Sequence, residues 1–227
     1  ASVSSVIAEG AALNTYAGGL AGYVGANVSA ITLDLSSYGG TLAGNVQAGT
    51  ATNANAKMSA GGIFGYTETN VTISNLVWEG KVTFYQKDAI TAMYANFGGL
   101  IGWAKEHVTI SNIESTGEMV ADYAKAAAIN FGNATDGGGG SIGGFLGRCE
   151  EGATISNSTS NGQTSWIPTS STGSSKHFDI HMGSIAGRIV EGNSSITNCH
   201  NKGRINNMHY NNQPWTTTYN TNSTGGI

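Results

Sequence analysis

Hydrophobic positions along this chain come in short bursts of alternation, and the bursts recur. Val71-Thr72-Ile73-Ser74-Asn75 alternates apolar and polar side chains with the two-residue period of a strand that buries one face. The same run returns at 108–112, as Ala-Thr-Ile-Ser-Asn at 153–157 and as Ser-Ser-Ile-Thr-Asn at 194–198. Ile31-Thr32-Leu33 is a degenerate first copy. Thr, Ile and Val dominate the runs while Gly and Asn punctuate them, which predicts strands and turns. Only 121–129, within an insertion, hints at a helical turn.

A second burst precedes each of these. GGLAG, GGIFG, GGLIG, GGFLG and GSIAG open at Gly18, Gly61, Gly98, Gly143 and Gly183, and a further GGI opens at Gly225. The spacings are 43, 37, 45, 40 and 42 residues. Gly80, Gly117, Gly162 and Gly203 close the units, and most length variation lies between a closing Gly and the next opening one. A constant frame with variable insertions marks stacked repeats. The expectation is one domain over 1–227, all-β: a right-handed parallel β-solenoid (β-helix) of about five coils of roughly 40 residues with variable loop insertions. Each coil should hold three strands: the glycine-led segment, the Thr-Ile-Ser-Asn segment, and a third such as 81–85 or 118–123.

Alternation assigns faces. Counting from each opening Gly, Leu20, Ile63, Leu100, Phe145 and Ile185 fall inward. So do the small Gly22, Gly65, Gly102, Gly147 and Gly187, which a narrow interior or a tight contact between coils requires. Tyr23, Tyr66, Trp103, Arg148 and Arg188 fall outward as one ladder, aromatic at one end and cationic at the other. The neighbouring outward positions are Ala21, Phe64, Ile101, Leu146 and Ala186, too apolar for a wholly solvated face. The chain's own insertions, another subunit or a stacked sugar would cover them. Ile73, Ile110, Ile155 and Ile196 point inward, as do Leu76, Ile113, Ser158 and Cys199 three residues later. Cys199 thus takes a hydrophobe's place, which favours a buried free thiol over a disulfide with Cys149.

The alternation of G-G-L-x-G with T-I-S-N and a closing Gly resembles the GLUG-type repeat of large bacterial surface proteins, over about 18–203. The resemblance implies an exported, cell-surface or extracellular β-solenoid, often a segment of an adhesin. It brings no catalytic residue with it.

Composition then removes alternatives. The 34 Gly among 227 residues follow no three-residue period and come with only 2 Pro, which excludes collagen. With 39% hydrophobic residues and a net charge of −4, disorder is not expected. Ten Lys and Arg give no footprint for nucleic acid or an anionic membrane. No apolar run reaches the ~18–20 residues of a membrane-spanning helix. The first residues carry no secretion signal, so an exported protein would be in a mature or cropped form.

Chemistry is sparse. Asp34, Asp88, Asp122, Asp136 and Asp179 do not recur at equivalent positions, so the paired carboxylates of a polysaccharide-cleaving β-helix are not expected. Glu68 and Glu150, and one residue later Glu106, Glu151 and Glu191, align in one turn, where solvated side chains are a simpler account than a Ca²⁺ site. His177, Asp179 and His181 would share one strand face, spaced nearly 7 Å apart, too far for ready sharing of a Zn²⁺ ion. Gly138–Gly143 matches G-x-G-x-x-G but leads into a strand, without the helix that binds phosphate.

No catalytic residue, metal or cofactor is therefore expected. The expected role is structural and adhesive, as a subunit of an extracellular fibre or a segment of a surface stalk that self-associates. Gly225, Gly226 and Ile227 begin a coil that either a next subunit completes or a longer parent chain continues. The alternatives are a glycan-binding module using Tyr23, Tyr66 and Trp103, and a polysaccharide-degrading enzyme.

Overall fold

The computed structural model describes residues 2–7, 14–38, 40–50, 56–86, 93–123, 140–168, 180–207 and 222–225. These residues form a parallel β-solenoid built from four parallel sheets of six, six, five and six strands. Each sheet is one wall. The opening wall holds Thr15–Gly18, Ala56–Gly61, Met93–Gly98, Gly140–Gly143, Ile180–Gly183 and Asn222–Gly225. The ladder wall holds Ala21–Val24, Phe64–Thr67, Ile101–Ala104, Leu146–Cys149 and Ala186–Ile189. The asparagine wall holds Ile31–Asp34, Val71–Trp78, Val108–Ser115, Ala153–Ser160 and Ser195–Asn201, with Thr41–Leu42 paired at one end. The closing wall holds Ser2–Ile7, Asn45–Thr50, Lys81–Gln86, Glu118–Tyr123, Thr164–Pro168 and Ile205–Asn207.

Three expectations need correction. The unit has four strands, because the glycine pair is a corner and does not begin a strand. Met93–Gly98 ends on the first Gly of its pair, and a new strand starts at Ile101. A Cβ on Gly98 would sit 1.9 Å from the Ile101 carbonyl oxygen, so the turn closes only without a side chain. The five-coil count is also slightly off. Ser2–Ile7 and Asn222–Gly225 add strands to the closing and opening walls beyond the five of the ladder wall. Finally, Ala121–Tyr123 is strand, paired in register with Trp166 to Pro168, so these three residues follow the wall and form no helical turn. The rest of 121–129 lies outside the described residues.

The mid-strand glycines behave as a tight contact requires. A Cβ on Gly102 would fall 2.7 Å from the backbone N and O of Ala60, and one on Gly147 equally close to Phe97. The ladder wall therefore lies backbone to backbone against the opening wall.

Inward columns fill the core. Ile73, Ile110 and Ile155 are fully buried, as are Ile63, Leu100 and Phe145. Leu76 and Ile113 point inward although an odd spacing separates them from Ile73 and Ile110. The cause is the asparagine between them. Asn75, Asn112, Asn157 and Asn198 all have positive φ, from 50° to 58°. This left-handed residue resets the alternation, and Asn tolerates it better than any other non-glycine residue. Trp78 is the largest fully buried side chain, and its indole lies where Cβ atoms on Gly62, Gly80 and Gly117 would be. Cys149 and Cys199 are both buried and unbridged. Burial pushes the Cys149 thiol up to about 11, and it donates to the Gly152 carbonyl at 3.0 Å.

Candidate functional site

The ladder wall brings the candidate residues into one column. Tyr23 pairs with Tyr66, Tyr66 with Trp103, Trp103 with Arg148, and Arg148 with Arg188, in successive parallel strands. Neighbouring strands are about 4.8 Å apart, which is the right distance for flat side chains to stack. The Tyr23 and Tyr66 rings stack at 5.7 Å, Trp103 meets Tyr66 edge-on at 4.8 Å, and the Arg148 guanidinium lies 5.7 Å from the Trp103 ring centre.

Three residues join the ladder that the outward count did not assign to it. Tyr16, from the opening wall, stacks on Tyr66 at 4.9 Å and on Tyr23 at 5.7 Å. Glu68 accepts hydrogen bonds from Tyr23 Oη at 2.8 Å and Tyr66 Oη at 3.1 Å. Glu150 accepts from Trp103 Nε1 at 2.9 Å and pairs with Arg148 Nε at 2.7 Å. The two glutamates thus clamp the column, and Lys105 Nζ lies 4.0 Å from Glu68. Of the aligned turn glutamates, Glu68 and Glu150 are hydrogen-bond acceptors here, where free solvation was expected.

This clamp sets the electrostatics. The hydrogen bond from Tyr23 holds the Glu68 carboxyl below its usual range. The same bond raises the Tyr23 phenol, whereas burial, then the bond to Glu68, raises that of Tyr66. Tyr66 and Arg148 are buried, because each is sandwiched by its neighbours, while Tyr23 at the end of the column is 53% exposed. Phe64, Ile101 and Leu146 are buried too and belong to the core cluster.

Sequence reasoning missed the asparagine column. Asn112 Nδ2 donates to Asn75 Oδ1 at 3.0 Å and Asn198 Nδ2 to Asn157 Oδ1 at 2.7 Å, while Asn75 Nδ2 donates to Asp34. A groove of about 380 Å³ runs beside it, lined in part by Ser36, Asn75, Asn112, Glu114, Asn157 and Thr159. The signal was present, since Asn closes all four copies of the motif.

Among the described residues no three His, Cys, Asp or Glu side chains come together in a way that could hold a metal ion. His177 and Asp179 lie outside the described residues; His181 is on the opening wall, in register with Ser141. Gly225 pairs with Gly183, and Gly226 and Ile227 lie outside the described residues. No described helix is long and apolar enough to cross a membrane.

Fold and ladder together define a parallel β-solenoid carrying a carboxylate-clamped aromatic column. No family model, no curated protein and no solved structure matches the chain.

Proposed function

We propose that the chain is an exported structural and adhesive repeat protein, part of an extracellular fibre or cell-surface stalk, in which a right-handed stack of coils continues onto a neighbouring coil. The carrying observation is what the two end faces expose. Leu20 is 63% exposed, although its equivalents Ile63, Leu100 and Phe145 are fully buried. At the other end Ile196 is 40% exposed, although Ile73, Ile110 and Ile155 are fully buried. Large apolar side chains at core positions favour cover, and a stacked coil is the cover their equivalents have. A further copy, head to tail, supplies it in a fibre; a further stretch of the same solenoid supplies it in a stalk. The GLUG-type resemblance supports the surface location.

Light scattering and negative-stain imaging over a concentration series test the fibre form. Assemblies that lengthen with concentration and shorten on Ile196→Lys are expected; a monomer at every concentration contradicts it. One observation favours glycan binding as a second reading, namely the half-exposed Tyr23 ring ending the aromatic column. In that reading Trp103→Ala weakens binding to at least one member of a polysaccharide panel, and unchanged binding across the panel refutes it.

A further inference from the structure

The outer face of the asparagine wall carries a second regular feature. Thr32, Thr72, Thr109, Thr154 and Ser195 follow one another in register along the wall. Two residues further along each strand, Asp34, Ser74, Ser111, Ser156 and Thr197 form a parallel column. Their inward neighbours Val71, Ile73, Val108 and Ile110 are buried, so the hydroxyls stand on the opposite, outer face. Strand spacing sets the grid at about 4.8 Å in one direction, and alternate residues set it at about 6.6 Å in the other.

Three properties separate this grid from an ordinary solvated sheet face. Its six central positions, on Val71–Trp78, Val108–Ser115 and Ala153–Ser160, carry only Thr and Ser, and the His107 ring meets the grid at its Thr154 corner, with Nε2 3.2 Å from Thr154 Oγ1. The outer side of the ladder wall, by contrast, holds Tyr, Trp and Arg, and the closing wall carries the Lys81–Glu118 pair. Second, every turn into and out of the three central strands is two or three residues long and described. Third, the grid ends sharply, since the left-handed Asn75, Asn112 and Asn157 follow directly and Asp34 is engaged by Asn75.

A rigid rectangular grid of hydroxyls, each Thr adding a methyl group, is matched by a partner with its own fixed two-dimensional repeat of oxygens. The short side approaches the oxygen repeat within the basal plane of hexagonal ice, and the long side approaches the repeat along its axis. The geometry points to this wall as an ice-binding surface, with Thr72, Thr109, Thr154, Ser74, Ser111 and Ser156 as its contact residues. Backbone pairing holds the hydroxyls in place before contact, so little ordering cost is incurred on binding. The array is independent of the end faces on which the fibre reading rests.

The test is nanolitre osmometry and ice-recrystallisation assay on the whole chain, with three variants checked by thermal melting. The wild type is expected to show a freezing–melting gap and faceted crystals. Thr109→Lys, in the centre of the grid, should lose both while melting as the wild type does. Thr83→Lys, on the closing wall, should keep both. If Thr109→Lys is unstable, Ser111→Lys gives the same reading. Wild-type protein without a freezing–melting gap, or activity retained in the folded grid variants, overturns the assignment.

Discussion

On the asparagine wall the rungs are near copies of one another, whereas on the ladder wall the column changes from Tyr to Trp to Arg along the stack. Thr over Thr, Ile over Ile and Asn over Asn need no partner chemistry beyond a fixed spacing. The ladder instead matches unlike neighbours, with Tyr against Trp, Trp against Arg, and each glutamate bridging two side chains. The first arrangement tolerates extension by any further coil. The second fixes which coil follows which, because Arg148 over Tyr23 would leave Glu150 without its Trp103 partner. Repetition therefore supplies the stack, and variation supplies its order.

The sharpest break in repetition is Trp78, which meets Ser115 in the next strand of the asparagine wall. Trp78→Ala should cost about 3–5 kcal/mol of stability, the range for a large buried aromatic whose cavity cannot collapse. Chemical denaturation measures it; a loss under 1 kcal/mol would mean that the glycine-lined slot closes on its own. Next in size is the asparagine column. Asn112→Ala forces a side chain without a local hydrogen bond into φ 56° and should cost about 1–2 kcal/mol, with Asn112→Gly milder. Equal losses for both variants would place the effect in the amide bond to Asn75 and not in the backbone.

The ladder makes a smaller prediction, read through pH. Glu68 has a lowered folded-state value, so its contribution is complete above the unfolded-state value of about 4.3 and is lost as pH falls through the folded one. Glu68→Gln should therefore flatten the acid limb of the stability curve while leaving neutral stability less affected. The phenols of Tyr16, Tyr23 and Tyr66 are raised, and their contribution runs the other way: present below about 10 and lost as pH rises through the folded values. Smallest of all is the exposed Lys81–Glu118 pair at 3.3 Å, where Lys81→Met should change stability by about 0.5 kcal/mol or less.

Much of the fold was legible because parallel stacking turns sequence period into spatial register. The Thr-Ile-Ser-Asn strands pair at the positions the spacing aligns, and the ladder residues occupy successive strands. The glycine corner was not legible, since Gly98 ending one strand and Gly98 beginning another read alike in sequence. The odd spacing from Ile73 to Leu76 did carry the left-handed Asn75, visible as a break in alternation. Tyr16 and the clamping role of Glu68 and Glu150 were hidden because those contacts join different walls or turns. Periodicity along one strand says nothing of them.

Cryo-electron microscopy of the concentrated protein tests the central claim most directly, that coils stack onwards from one solenoid to the next. Filaments with strands perpendicular to the long axis and a repeat of about 4.8 Å along it are predicted. Single particles at every concentration, or filaments whose strands run along the axis, would contradict it.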